Sequence, residues 1–153
     1  MPLAYHHHMG TIIETQKDTE RLIENTHESV KLTLDTGHML FAKGDSKSIL
    51  QNYHERILHV HCKDIRKQVL EKSLKEDLSF RGAFLEGAFT VPGDGCIDYQ
   101  PLFNVLKNNN YSGWLVVEAE QDPAKANPLE YAKIGYNYLT DTLKKSEIEI
   151  YKN

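Results

Sequence analysis

A short apolar strand that ends in polar residues carries the strongest chemical signal in the sequence. Residues 56–66 read Arg-Ile-Leu-His-Val-His-Cys-Lys-Asp-Ile-Arg. Side chains alternate between the two faces of a strand, so His59, His61 and Lys63 share one face. Two imidazoles and an ammonium group make a poor hydrophobic core. The pattern therefore predicts that this face looks into a polar pocket at the end of the strand.

Two further apolar segments end in carboxylates in the same way. Asp35 follows Val-Lys-Leu-Thr-Leu, and Glu118 follows Trp-Leu-Val-Val. A strand-end aspartate is often only a turn former or a helix cap, but an unpaired carboxylate after a buried strand requires a cation or a donor. Two carboxylates and an imidazole suit a hard or borderline divalent cation. Asp35, His61 and Glu118 are therefore the predicted metal ligands.

Histidines in two other places extend this candidate site. Gly37 allows the chain to turn at the end of its strand, so that His38 can reach the same pocket. Near the N-terminus stand three consecutive histidines, which are few for a purification tag, and the preceding Leu-Ala-Tyr favours a native strand end. His6 and His8 then share one face of that strand. Either of them could supply a fourth ligand.

Strands and helices alternate along the chain. Strands are predicted at 3–9, 30–35, 59–63, 89–91 and 114–118, with helical segments between them and a loop over 37–45. This order predicts an α/β fold of right-handed βαβ units around a parallel sheet, with functional residues at the carboxyl ends of the strands. An eight-unit barrel needs roughly 250 residues. The chain of 153 residues is therefore predicted to be the C-terminal half of a TIM barrel over 1–143, followed by a polar tail over 144–153.

Composition excludes several classes of partner. The chain has 40% hydrophobic and 26% charged residues and a formal net charge of −4. These values are ordinary for a globular protein and argue against nucleic acid or an anionic membrane as a partner. No apolar run approaches the roughly 20 residues of a membrane span, no signal peptide is recognisable, and two cysteines imply no disulfide framework. The expected location is the cytoplasm.

Five stretches carry a family resemblance, at 5–11, 34–38, 59–64, 89–95 and 114–123. They resemble the C-terminal half of the inosose dehydratases, myo-inositol catabolic enzymes of the xylose-isomerase-like TIM-barrel superfamily. The Asp-x-x-His and Glu motifs are common to that superfamily. The triple histidine and the Glu-Ala-Glu-Gln-Asp-Pro stretch are more specific to the dehydratases. The resemblance covers nearly the whole chain, to about residue 139.

The resemblance implies a lyase that removes water from a polyol ketone, 2-keto-myo-inositol (scyllo-inosose), using Mn²⁺ or Co²⁺. Such a reaction takes a proton from the carbon next to the ketone and expels a β-hydroxyl. The implied catalytic residues are His38, because imidazole carries protons near neutral pH, and Lys63. The implied metal ligands are Asp35, His61, Glu118 and His8. The implied substrate-binding residues are His6, Arg66 and Glu120.

Two departures from the superfamily pattern leave alternatives open. In what the resemblance implies, the isomerases and epimerases of the superfamily bind the metal through a glutamate at the end of the fourth strand. The matching position here is Ala4. Dehydration is therefore the stronger expectation, and a sugar isomerase or epimerase is the weaker one. The second departure is an expected truncation, because the resemblance leaves the first three strands of the barrel and most of the fourth without a match in this sequence. A half-barrel has two unpaired edges that invite pairing, so we expect self-association, and an inactive associating α/β fragment is the non-enzyme alternative.

Overall fold

The strands form two sheets of different kinds. The computed structural model describes residues 2–151. Its strands, in chain order, are β1 (Leu3–His6), β2 (Val30–Asp35), β3 (Ile57–Cys62), β4 (Asp64–Ile65), β5 (Phe89–Thr90) and β6 (Trp114–Val117). The larger sheet has the order β1-β2-β3-β6, and all of its pairings are parallel. This sheet confirms the predicted half-barrel, because a closed TIM barrel has eight parallel strands.

Amphipathic helices connect these strands. The α-helices are α1 (Gln16–Glu24), α2 (Thr36–Phe41), α3 (Ser46–Tyr53), α4 (Lys67–Lys75), α5 (Phe80–Leu85), α6 (Gln100–Asn108) and α7 (Pro128–Lys145). Several begin at residues whose side chains accept hydrogen bonds from the first backbone amides. Thr15 and Asp18 form a capping box at α1, and Asn127 caps α7. Such caps satisfy amide groups that have no partner inside the helix.

The two faces of the parallel sheet differ in composition. One face carries Leu32, Leu34, Val60 and Cys62, which are buried together with apolar residues of α3, α6 and α7. The opposite face is called the inner face. It carries Ala4, His6, Lys31, Thr33, Asp35, His59, His61, Trp114 and Val116. The helices therefore cover the apolar face, and the predicted polar residues share the other.

One predicted strand lies outside the parallel sheet. Phe89 and Thr90 form β5, which pairs antiparallel with β4 in a separate two-stranded sheet. The prediction that 89–91 alternates with the helices as a member of the parallel sheet is therefore wrong. β4 follows β3 after the single residue Lys63. The backbone of β4, and not that of β3, pairs with β5. Pro92 follows soon after β5 and has no N–H group with which to extend the ladder.

The segment predicted as a loop over 37–45 begins with a helix instead. α2 starts directly after β2, because the side chain of Asp35 accepts a hydrogen bond from the backbone N–H of His38. That bond caps the helix, so Gly37 lies inside its first turn and does not interrupt it. The irregular part is shorter than predicted, and it contains Lys43 in the left-handed region with φ of 60°.

The C-terminal segment is partly ordered against the core. α7 runs through Lys145, two residues into the segment predicted as a polar tail. Ser146 is buried, and Ile148 packs against the core cluster. Within residues 2–151, no helix combines the length and apolar character that a membrane crossing requires.

Candidate active site

Four buried polar atoms converge at the carboxyl end of the parallel sheet. They are His6 Nε2, Asp35 Oδ2, His61 Nδ1 and Glu118 Oε2, and none makes a hydrogen bond of regular geometry to a described residue. Asp35 Oδ2 lies 3.4 Å from His6 Nε2 and 3.6 Å from His61 Nδ1. His61 Nδ1 lies 2.5 Å from Glu118 Oε2. Buried polar atoms that face one another without regular hydrogen bonds are costly, so this set, called the ligand group, is suited to a shared ligand.

Strand register brings the ligand group together. Asp35 and His61 are direct partners across β2 and β3, and His61 is the partner of Val116 in β6. Glu118 lies two residues beyond Val116, on the same face of the sheet. His6 is the last residue of β1. Because parallel strands end at the same edge of a sheet, four separated segments deliver their side chains to one place.

The two carboxylate oxygens of Asp35 have different surroundings. Oδ1 accepts the hydrogen bond from the His38 amide at 2.8 Å that caps α2. Oδ2 faces the ligand group and makes no hydrogen bond among the described residues. A strand-end aspartate can be a helix cap or a ligand, and here each oxygen of one carboxylate is placed for one of these roles.

The ligand group is strongly charged. Burial alone would raise the pKa of Asp35, but His6, His61 and Lys63 outweigh burial and hold that pKa well below its ordinary value. The carboxylates of Asp35 and Glu118 beside His61 raise its pKa to about 9. In the absence of a cation, His61 is therefore protonated at neutral pH, and metal binding would release that proton.

A second cluster adjoins the ligand group and is called the Lys63 cluster. It consists of Lys63, His38, Glu120 and His8. The side chain of Lys63 is fully buried, and its Nζ lies 2.7 Å from Glu120 Oε2, 2.9 Å from His38 Nε2 and 3.3 Å from Asp35 Oδ2. His8 Nε2 lies 3.4 Å from Glu120 Oε1, and the His8 ring lies over His38 with centroids 3.7 Å apart. Lys63 therefore joins the two groups electrostatically.

The Lys63 cluster places a neutral imidazole, that of His38, beside the ionised carboxylate of Glu120. Burial lowers the pKa of His38 below its ordinary value, so the ring is neutral near pH 7. Burial opposes ionisation of Glu120, but His38 and Lys63 overcome it and lower the pKa of Glu120 to about 2. The Lys63 ammonium donates to Nε2 of His38 at 2.9 Å, so Nε2 is the unprotonated nitrogen of the neutral ring. Nε2 is therefore the nitrogen of His38 that can accept a proton.

The structure divides the predicted site residues among three places. Asp35, His61 and Glu118 lie together, whereas the fourth predicted ligand, His8, lies with His38 and Glu120. His6, predicted to bind substrate, is the histidine of β1 that reaches the Asp35 carboxylate. Its potential ligand atom forms a further close group with those of Asp35 and His38. Ala4 stands where a metal-binding glutamate would be expected. His6, two residues later on β1, brings an imidazole to the Asp35 carboxylate instead.

Arg66, predicted to bind substrate, lies outside both groups. It donates hydrogen bonds to Gly87 O at 2.8 Å, to Thr90 Oγ1 at 3.1 Å and to Asp94 Oδ2 at 2.6 Å. Thr90 donates to the same oxygen of Asp94. Within the described residues, Arg66 therefore fastens the turn after β5 to the segment before it.

Sequence reasoning missed His7, which lies between the two histidines that were singled out. Its side chain is fully buried, and its Nε2 accepts a hydrogen bond from the Asp35 backbone N–H at 3.1 Å. Alternation alone would place this side chain on the apolar face of β1, where a histidine is unusual. That position was the available signal that His7 has a specific partner.

Comparison with known proteins agrees with this architecture. The sequence profile of the family described as xylose isomerase-like TIM barrel matches residues 1–142. The inosose dehydratase of Clostridium beijerinckii is 52% identical over 142 residues, which are 92% of this chain and 48% of that protein. The rhizopine catabolism protein MocC of Rhizobium meliloti is 52% identical over 137 residues, covering 90% of this chain and 42% of that protein.

A solved structure has the same fold. The crystal structure of the IolI protein with a bound zinc atom aligns with a TM-score of 0.59 at 22% identity, over 96% of this chain and 48% of that chain. The chain therefore spans about half the length of the curated relatives and of this structure. With the profile match over most of its residues and the parallel half-barrel, the chain belongs to the xylose isomerase-like TIM barrel family.

Proposed function

We propose that this chain carries the metal centre and the proton-transfer residues of a dehydratase that acts on a polyol ketone. The observation that carries this proposal is the ligand group, in which four buried nitrogen and oxygen atoms face one another without a regular hydrogen bond to any described residue. Two relatives named inosose dehydratase are 52% and 49% identical to this chain over more than nine-tenths of its length. They support scyllo-inosose as the proposed substrate.

The ligand group fits a divalent cation. Two imidazole nitrogens and two carboxylate oxygens are a mixed set that suits a borderline metal, and we propose Mn²⁺ or Co²⁺. His6, Asp35, His61 and Glu118 would hold it. The zinc atom in the IolI structure supports a divalent metal in this fold. When bound, the cation would supply Lewis-acid polarisation of the ketone oxygen.

His6, not His8, is the proposed fourth ligand. His6 Nε2 is buried, has no hydrogen-bond partner among the described residues and lies 3.4 Å from Asp35 Oδ2. His8 already contacts Glu120 and Met9 O. We propose that His8 and Glu120 bind substrate hydroxyls beside the metal centre.

The Lys63 cluster supplies the proposed proton transfers. Neutral His38 takes the proton from the carbon next to the ketone through Nε2. Lys63 donates a proton to the departing β-hydroxyl, which leaves as water. Lys63 Nζ lies 2.9 Å from His38 Nε2, so the proton taken by His38 can return to Lys63 after the reaction. Substrate loses one hydrogen and one hydroxyl, and both side chains regain their starting states.

The proposed partner of this chain is a small-molecule substrate, and its proposed location is the cytoplasm. Both cysteines, Cys62 and Cys96, are free, which supports the proposed cytoplasmic location. β1 brings an imidazole rather than a carboxylate to the ligand group, and this supports dehydration over isomerisation or epimerisation.

A thermal melt of the purified chain tests the metal centre. We expect the melting temperature in chelator to rise on addition of Mn²⁺ or Co²⁺. A cation at about 100 times its Kd adds about 2.7 kcal/mol of stability, or roughly 5–10 °C for a chain of this size. Asp35→Asn is the matched variant, since it keeps the size of the side chain and removes its charge.

Turnover is then measured directly with scyllo-inosose. Metal-dependent loss of substrate with release of water, absent from Asp35→Asn, is the expected result. The proposed metal centre would be overturned if neither cation raised the melting temperature, or if both raised that of Asp35→Asn by the same amount.

A further inference from the structure

An aromatic wall lies beside the Lys63 cluster. It consists of Phe41, Phe80 and Phe89, which belong to α2, α5 and β5. The ring centroids of Phe80 and Phe89 are 5.8 Å apart, and those of Phe41 and Phe89 are 5.6 Å apart. Aromatic rings at such distances attract one another. The wall is therefore a connected apolar surface next to a strongly charged group of side chains.

The inner ring of the wall is already occupied. Phe89 is fully buried. The centroid of its ring lies 5.1 Å from that of His38 and 5.5 Å from Lys63 Nζ. An ammonium group at this distance is attracted to the face of an aromatic ring. Phe89 therefore contacts Lys63 and has no surface left for a ligand.

Phe80 is the outer ring of the wall. It is half-buried, whereas Phe41 and Phe89 are buried. Its ring meets that of His8 in a T-shaped contact with centroids 4.9 Å apart, and its centroid lies 6.0 Å from that of His38. The side chain of His8 is itself 24% exposed. Phe80 is therefore the member of the wall that a molecule bound at the Lys63 cluster can touch.

Local structure holds Phe80 in this place. It is the first residue of α5, and the side chain of Ser79 caps this helix by accepting a hydrogen bond from the Gly82 N–H at 3.2 Å. Beyond the other end of α5, Gly87 O accepts a hydrogen bond from Arg66 at 2.8 Å. Phe80 also packs against a buried apolar cluster. Its ring is therefore presented by a capped helix that is fastened at both ends.

A six-membered polyol ring has the two kinds of surface that this arrangement can bind. When its hydroxyls are equatorial, they form a polar rim, and the axial C–H bonds form two apolar faces. The rim needs charged and hydrogen-bonding partners, such as those of the Lys63 cluster, and a face is best buried against a flat apolar surface. An axial hydroxyl on that face would lie against the aromatic ring without a hydrogen-bond partner, which is costly.

We propose that Phe80 packs against one C–H face of the bound substrate ring and selects cyclic polyol ketones whose hydroxyls are equatorial. This inference rests on the proposed polyol-ketone substrate. It adds a specificity-determining residue that is neither a proposed metal ligand nor a proposed proton carrier. An open-chain ketose has no comparable flat face and would gain less from the ring of Phe80.

Unreactive cyclitols test the proposal without any turnover. Scyllo-inositol has only equatorial hydroxyls, whereas chiro-inositol has an axial hydroxyl on each face, so neither orientation of it spares the ring. Each is titrated calorimetrically into the purified chain with Mn²⁺ present. The parent should bind scyllo-inositol more tightly than chiro-inositol by at least about fivefold, because a hydroxyl buried without a partner is costly.

Three variants establish whether Phe80 causes this preference. Phe80→Leu keeps an apolar side chain against the buried cluster but removes the flat ring, so it should bring the two affinities to within about twofold. Phe80→Tyr keeps the flat ring and should keep the preference of the parent. Leu85→Ala, at an exposed residue of the same helix, is the control and should leave both affinities unchanged. A variant that only loosened the fold would lower both affinities alike and leave their ratio unchanged.

The proposal would be overturned by a parent that binds neither cyclitol or binds both equally. An unchanged ratio in Phe80→Leu would also overturn it, as would a preference that Phe80→Tyr loses as fully as Phe80→Leu does. The proposed metal centre is tested separately, by the thermal melt with Asp35→Asn. A melt that responds to metal, together with an unchanged ratio in Phe80→Leu, would therefore remove the role of Phe80 and leave the proposed metal centre in place.

Discussion

Nε2 of His7 accepts a hydrogen bond from the backbone N–H of Asp35 at 3.1 Å. The paired register of β1 and β2 ends at His6 and Thr33, so the imidazole replaces a ladder partner where the two strands separate. Burial lowers the pKa of His7 to about 3, and the neutral ring can accept this bond. A side chain on the apolar face thus holds the backbone of a residue whose carboxylate faces the ligand group.

His7 makes stability depend on acid pH. Its pKa is about 3 in the folded chain and 6.5 ordinarily, so the unfolded chain binds more protons between these values. The stability that neutral His7 allows is complete above 6.5 and is lost as pH falls. At about pH 5 the loss should be about 2 kcal/mol. Urea unfolding of the parent and of His7→Gln in chelator, at about pH 5 and above pH 7, separates this loss from the opposite effect of His61, whose pKa is raised.

A pair of variants isolates this contribution. His7→Gln keeps an acceptor for the Asp35 amide and does not titrate, so it should lose less stability on acidification than the parent. His7→Leu removes the acceptor and should be less stable than the parent by about 1–3 kcal/mol above pH 7. Little of that difference should be left at about pH 5, because leucine does not titrate. An identical acid loss in the parent and in His7→Gln would contradict the assignment.

His6 and His8 differ in their expected effect on metal affinity. His6→Ala removes a proposed ligand and should weaken binding of Mn²⁺ or Co²⁺ by at least about tenfold, the range seen when even outer-shell groups are removed. His8→Ala should change the affinity much less, because His8 lies with Glu120 and His38. Calorimetric titration of the two variants gives the comparison. Greater loss in His8→Ala would restore His8 as the fourth ligand.

Much of the candidate site could be predicted because strand periodicity is local. Alternation put His61 and Lys63 on one face, and the carboxyl ends of parallel strands then put Asp35 and Glu118 near them. The choice between His6 and His8 could not be made this way, since alternation gives both the same face. It depends on where β1 leaves the sheet, which is a tertiary feature.

The same limit explains the two errors in the fold. The cap that begins α2 depends on the Asp35 carboxylate turning back to the His38 amide, and a sequence that contains Gly37 suggests a loop instead. The pairing of β5 with β4 is non-local and antiparallel. Short apolar runs such as Phe89–Thr90 do not specify their partner strand.

Gly37 is expected to be intolerant of a side chain. A Cβ at this position would lie 2.7 Å from Lys63 Cγ and 3.0 Å from its Cβ and Cδ. Lys63 is fully buried and fixed by Glu120, so it has little room to move. Gly37→Ala should reduce the free energy of unfolding by about 1–3 kcal/mol, measured in urea.

Gly82→Ala is the control for that experiment. The nearest atom to an added Cβ there is Leu78 Cβ at 3.4 Å, and the residue lies within α5. Alanine has the better helix propensity, so this variant should be neutral or more stable by up to about 1 kcal/mol. A Gly37→Ala variant as stable as Gly82→Ala would mean that Lys63 repositions freely.

His38 is expected to be required for turnover and not for metal binding. Its Nε2 faces Lys63 and Glu120, and its ring takes no part in the proposed metal coordination. His38→Gln keeps a polar side chain that cannot carry a proton between bases, so turnover of scyllo-inosose should fall by about 10²–10⁴-fold. Metal content and melting temperature with metal should stay near those of the parent. His27→Gln, at an exposed turn, is the control. Turnover is measured on the purified chain, and unchanged turnover in His38→Gln would refute its role as the proton carrier.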